Sequence, residues 1–313
     1  MGKVAFVFPG QGAQFPGMGK DFYDNFDVAR QTFNIADSIL NYKLSKICFE
    51  GNEDELMLTT NTQPAVLVTS IAIYNVLKEE GFAAEFTAGL SLGEYSALVS
   101  SDSIELERAV KIVQNRAAYM QEVVPVGVGK MAAIVGLGFK ELDEVLESAK
   151  NKGIIEIANF NTHEQTVISG ETAAIKEAIK SAKALGAKRA LQLPVSAPFH
   201  CSMMKPAGEL LRNDLKDLNI KPPKINFVNN VDAKVVSDSE YIRKSLIMQV
   251  SSSVKWYQTI ELMLNEGVRR FIEIGPGTTL RNFIKSISAH LNIEVESYSI
   301  GDMEGYKKVL KEW

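Results

Sequence analysis

Glu85-Phe86-Thr87-Ala88-Gly89-Leu90-Ser91-Leu92-Gly93-Glu94-Tyr95-Ser96-Ala97-Leu98-Val99 is the stretch on which the reading of this chain turns. A short β-prone run meets Gly-x-Ser-x-Gly, and an apolar, helix-prone run follows without a gap. This is the sequence form of a nucleophile elbow, in which a strand turns sharply into a helix and presents a serine at the bend. Glycine suits positions 89 and 93 because two backbone segments approach there and a Cβ would collide. A helix beginning just after Ser91 points its free N–H groups and the positive end of its dipole at the reacting atoms. Negative charge developing on an acyl oxygen would be stabilised in that field. The pattern is short and also arises by chance, so the rest of the chain has to carry the case for chemistry.

Upstream, residues 3–8 read as a buried strand and Pro9-Gly10-Gln11-Gly12-Ala13-Gln14 as the loop leaving it. A dinucleotide-binding loop is excluded: Phe15 stands at the third glycine position, and no acidic residue closes a second strand about 20 residues on. Two readings of the loop stay open. It is a tight glycine turn without a ligand, or it turns the Gln11 N–H toward the serine as one oxyanion donor, as an early loop does in α/β-hydrolase-type sites. Residues 21–60 look helical and polar. The apolar run 62–77, with Pro64 near its start, predicts a buried helix that leads through Gly81 into the elbow.

Beyond the elbow, Leu106, Ala109, Val110, Val113, Ala117 and Met120 share one face of a helix over 104–122. Arg116 lies at the margin of that stripe. It either snorkels or pairs with a structural carboxylate, or it supplies a guanidinium to a pocket for an anionic substrate. After a Gly/Pro-rich break at 124–129 come strands near 131–137, 154–159, 165–169 and 189–195, with helices over 139–151 and 171–185. The order βαββαβ is the ferredoxin-like arrangement. The domains expected are therefore a discontinuous core, 1–124 and 198–313, and an inserted small domain, 125–197. Strands near 225–228 and 270–274 and helices over 241–250 and 279–291 complete an α/β core with a mostly parallel sheet.

A serine nucleophile needs a base at neutral pH, and histidine is the usual one. The chain has three histidines. His163 falls in a small-domain loop and His290 in a late amphipathic helix. His200 falls in Ser196-Ala197-Pro198-Phe199-His200-Cys201, where the two domains meet. Pockets form at such seams, which favours His200.

Composition sets outer limits. The 313 residues are 46% hydrophobic and 23% charged, as in an ordinary globular protein. A net charge of −4 argues against nucleic acid as a bulk partner. Two cysteines, Cys48 and Cys201, form no disulfide framework or metal spacing, and no signal-peptide pattern or membrane-length apolar run is read; a cytoplasmic protein is expected.

Phe8-Pro9-Gly10-Gln11-Gly12-Ala13-Gln14, Gly89-Leu90-Ser91-Leu92-Gly93-Glu94, Gln114-Asn115-Arg116, Pro198-Phe199-His200 and Glu273-Ile274-Gly275-Pro276-Gly277 occur in that order. Together they resemble the malonyl-CoA:acyl carrier protein transacylases of fatty acid synthesis, over nearly the whole chain. The resemblance implies an α/β-hydrolase-like core with an inserted ferredoxin-like domain. It implies Ser91 as acyl-accepting nucleophile, His200 as base and the Gln249 carbonyl orienting it, with oxyanion N–H groups from Gln11 and Leu92. Arg116 would hold the free malonyl carboxylate, Phe199 would crowd an α-methyl group, and Asn159 and Asn161 would lie near the coenzyme A arm. No permanent cofactor is implied; the substrates are malonyl-CoA and phosphopantetheinylated acyl carrier protein. The family's elbow usually reads Gly-His-Ser, whereas Leu90 stands here. A serine esterase or thioesterase, or a catalytically silent carrier-binding module, are the competing readings. Carrier proteins present an acidic helix, so Lys176, Lys180, Lys183, Lys188 and Arg189 form either a docking patch or a merely solvated face.

Overall fold

The computed structural model describes residues 2–195 and 197–312; Ser196 of the seam lies outside them. Strands β1 (Lys3–Phe8), β2 (Phe86–Gly89), β3 (Gly129–Val135), β4 (Ile155–Thr162), β5 (Gln165–Glu171), β6 (Arg189–Gln192), β7 (Asn226–Phe227), β8 (Val268–Ile274) and β9 (Glu296–Ile300) fall into two sheets. In the larger, the order is β7-β2-β1-β8-β9 and every neighbouring pair is parallel. Such a sheet must be covered on both faces, and β1 shows how. Phe6 and Phe8 enter the core built with helices Thr59–Glu79 and Gly93–Ser100, both rings meeting Tyr74 edge-on, while Ala5 and Val7 enter the one built with Trp256–Asn265 and Thr279–His290. The period of two along one strand thus feeds two separate cores.

The smaller sheet has the order β4-β5-β3-β6 with antiparallel neighbours, the ferredoxin-like arrangement expected. Ala132, Ile134, Ile168 and Ala190 face helices Phe139–Ala149 and Thr172–Ala184. The alternate residues Met131, Ala133 and Val167 face a cleft against the larger sheet.

Some boundaries differ from expectation for tertiary reasons. β4 runs to Thr162 because Phe160 and Thr162 stay paired with β5 while Asn159 bridges to Val254. β6 stops at Gln192, since it is an edge strand held on one side by β3. The apolar helix begins at Thr59, five residues before Pro64. Helices Trp256–Asn265 and Met303–Glu312 and strand β9 were not anticipated from the pattern.

Candidate active site

At the elbow, β2 ends at Gly89 and a helix begins at Gly93. A Cβ on Gly89 would lie 1.9 Å from the Gly93 carbonyl, and one on Gly93 would lie 2.1 Å from the Phe8 oxygen. Both close approaches require glycine. Between them Ser91 adopts φ 54°, a left-handed conformation that costs a non-glycine residue about 1 kcal/mol or more. Asn230 clamps that bend: its Oδ1 accepts the Ser91 N–H at 2.7 Å, and its Nδ2 donates to the Gly89 carbonyl at 2.7 Å.

The clamped bend places Ser91 Oγ 2.7 Å from His200 Nε2. His200 Nδ1 lies 2.9 Å from the Gln249 carbonyl oxygen. A carbonyl only accepts, so Nδ1 carries the proton and Nε2 is left to accept from the serine. Burial, and then the charge of Arg116, push the imidazole pKa down to about 4, against the raising effect of the Gln249 and Ser252 backbone. His200 is therefore neutral at pH 7. His163 and His290 stack on one another, ring centres 3.9 Å apart, and neither lines the cleft.

Arg116 is 1% exposed, not marginal. Gln63 and Gln249, from helices Thr59–Glu79 and Ser239–Gln249, cover the side that the helical stripe left open. Nη1 donates to Gln63 Oε1 at 2.5 Å; Nη2 donates to Gln249 Oε1 at 2.8 Å and to Ser91 Oγ at 3.1 Å. All three acceptors are neutral. A buried guanidinium without an anion is expensive, and its cleft-facing edge stands beside the serine.

The cleft has a volume of about 360 Å³ and lies between the C-terminal ends of β1 and β2 and the helix-free face of the smaller sheet. Ligands in open α/β sheets bind at this end of the strands. Gln11, Leu90, Leu92, Asn159, Asn161 and Phe199 all line it. The N–H groups of Gln11 and Leu92 have no intramolecular acceptor among the described residues. Asn161 Oδ1 is buried there without a partner. Among the described residues no group of three or more His, Cys, Asp or Glu is gathered for a metal ion, and no helix is long and apolar enough to cross a membrane.

A family model for the acyl transferase domain matches residues 5–304. The chain belongs to the acyl transferase family. It is 44% identical, over 292 residues, to the malonyl CoA-acyl carrier protein transacylase of Bacillus subtilis (strain 168), with 93% of this chain and 92% of that one covered. The crystal structure of an acyl-carrier-protein S-malonyltransferase from Burkholderia pseudomallei 1710b superposes with a TM-score of 0.95 at 43% identity, covering 99% of each chain. A malonyl-transacylase solved in complex with its type II PKS acyl-carrier protein superposes with a TM-score of 0.95 at 39% identity, covering 99% of this chain and 100% of that one.

Three residues of this acyl transferase escaped sequence reasoning. Asn230 holds the elbow, Gln63 holds Arg116, and the wholly buried Glu94 accepts from Gln249 Nε2. The signal at each is weak, a polar side chain close to apolar residues: Val228-Asn229-Asn230-Val231, Gln63-Pro64-Ala65-Val66, Gly93-Glu94-Tyr95.

Proposed function

We propose that this acyl transferase carries the malonyl group of malonyl-CoA to the phosphopantetheine thiol of acyl carrier protein, through a malonyl ester on Ser91, in fatty acid biosynthesis. The observation that carries the reading is the buried Arg116 guanidinium, 3.1 Å from Ser91 Oγ and hydrogen-bonded only to neutral acceptors. A substrate carboxylate arriving there supplies the missing anion through two charge-assisted hydrogen bonds, a geometry lysine lacks.

In the first half-reaction Ser91 Oγ attacks the thioester carbonyl and passes its proton to His200 Nε2. The Gln11 and Leu92 N–H groups hold the oxyanion. The C–S bond breaks, and coenzyme A leaves as the thiol with the proton from His200. The second half-reaction runs the same steps in reverse with the carrier thiol as attacker. The bound carboxylate offsets the Arg116 charge, which is the second cause of the low His200 pKa. Phe199 narrows the space beside the acyl α-carbon, and Asn159 and Asn161 offer amide groups to the pantetheine arm. We assign the catalytic core to 1–124 and 198–313, the small domain to 125–197, and the protein to the cytoplasm, where its two free, buried cysteines stay reduced.

Incubation with malonyl-CoA, with and without carrier protein, tests the reading. An acyl-serine that discharges to carrier thiol and survives in water is expected. Discharge to water would make the protein a hydrolase, and absence of any adduct a binding module.

For the carrier we propose the basic patch of the small domain. Lys176, Lys180, Lys183, Lys188 and Arg189 are all exposed. The first three ride on helix Thr172–Ala184, which packs on the face of the small sheet away from the cleft. Arg189 alternates with the inward Ala190 and so projects on the cleft side of edge strand β6, just before the cleft-lining residues 193–195. Lys188 adjoins it and pairs with Glu164 at 2.8 Å. Reversing the charge at Lys188 and Arg189 should slow transfer to carrier protein severalfold and flatten its salt dependence, with acylation by malonyl-CoA almost unchanged. Equal losses in both half-reactions would remove the patch from consideration.

A further inference from the structure

Glu94 follows the elbow directly, is wholly buried, and takes no part in the steps above. Its Oε2 accepts from Gln249 Nε2, and its Oε1 has no partner. The same Nε2 donates to the Ser91 carbonyl at 2.8 Å. With its amide hydrogens so committed, Gln249 presents Oε1, and only Oε1, to Arg116. An unanchored amide could turn over and set NH₂ against the guanidinium, donor against donor.

We propose that Glu94 is a positioning residue that sets malonyl selectivity: through the Gln249 amide it holds the Arg116 guanidinium in place for the substrate carboxylate. The inference rests on the malonyl reading of Arg116. Burial is the main reason that the Glu94 carboxyl is pushed up to about 8; the Gln249 amide, the Asn230 backbone and the Arg116 charge oppose the rise, and Asp232 adds to it. The charged and titratable groups around it are Arg116 on helix Leu106–Glu122, Tyr95 on its own helix and Asp232 beyond β7. At neutral pH the carboxyl is mostly neutral. Once ionised, it is a second anion competing for one guanidinium in a poorly screened interior. His200, already neutral there, does not titrate in that range.

Single-turnover acylation by malonyl-CoA and by acetyl-CoA, from pH 7 to pH 9, tests this without an acceptor thiol to ionise. For the wild-type protein the malonyl rate constant should fall about tenfold over that interval, as one group titrating at the midpoint requires. The acetyl rate constant should stay level. In Glu94→Gln, which keeps the acceptor for Gln249 but cannot ionise, the malonyl profile should be flat. Glu94→Leu should lower the malonyl-over-acetyl ratio at pH 7 about tenfold or more, and Glu94→Gln should restore it. An alkaline fall that persists in Glu94→Gln, that acetyl-CoA shares, or that is missing from the wild type overturns the proposal. If Glu94→Gln does not fold, the wild-type comparison of the two substrates still decides. Failure of the malonyl reading itself shows separately, as no malonyl preference over acetyl in the wild-type protein at pH 7.

Discussion

Arg116→Ala should lower kcat/KM for malonyl-CoA on the order of 10²-fold or more, while acetyl-CoA is spared or improved. The size follows from about 3 kcal/mol or more for removing one partner of a buried charge pair. Acetyl-CoA brings no second carboxylate, so it gains nothing from the guanidinium and no longer has to sit beside an unmatched charge. Arg116 also anchors Gln249 at 2.8 Å, and the Gln249 carbonyl holds His200. Some loss could therefore arise through a displaced base. The acetyl-CoA measurement isolates that share, because a displaced base slows both substrates alike. Arg116→Lys should restore malonyl use only partly, since a point charge cannot reproduce the bidentate fork. A parallel fall for the two substrates would make Arg116 a structural residue and leave the malonyl assignment without its main support.

Ser91→Ala should abolish covalent labelling by radioactive malonyl-CoA, with an unchanged circular dichroism spectrum, because Oγ alone is lost. Label persisting at the elbow would exclude Ser91 as the nucleophile. His200→Ala should slow acylation by about 10²-fold or more, the usual contribution of a general base. The pH profile separates the base from a bystander. Burial holds the His200 pKa at about 4, below the ordinary 6.5, so the imidazole stays unprotonated as pH falls until that value is reached. Wild-type acylation should accordingly remain level on acidification from about pH 7 to about pH 5 and then drop. A midpoint near the ordinary histidine value would mean that the ring is solvated in the working enzyme, and that the sealed geometry is not the reactive one.

Local pattern carried much of this protein. β1 falls on residues 3–8 because its side chains from Val4 onward are claimed alternately by one core or the other, so nothing frays the strand at its apolar end. The elbow was legible for a similar reason: strand, bend and helix lie within fifteen residues, and Gly89 and Gly93 mark where their backbones touch. Arg116 shows the limit. Helical periodicity compares a residue only with others on its own helix, and on that basis Arg116 sat at a margin. The side chains that enclose it come from 53 residues upstream and 133 residues downstream. Gln249 itself entered through its carbonyl alone. Its side chain, which ties Glu94, Ser91 and Arg116 together, has no periodic or motif signal.

The sequence by itself determined which serine stands at the bend and which strands build the parallel and the antiparallel sheet, because these follow from short-range sterics and from the burial of alternating side chains. Only the tertiary structure decided that His200 is neutral with its proton on Nδ1, that Arg116 is buried among neutral acceptors, and that Glu94 is sealed behind Gln249. Those are properties of desolvation and of contacts between distant segments. A carboxyl in water and the same carboxyl buried behind Gln249 differ in protonation at pH 7, and nothing in the order of residues around Glu94 states which of the two it is.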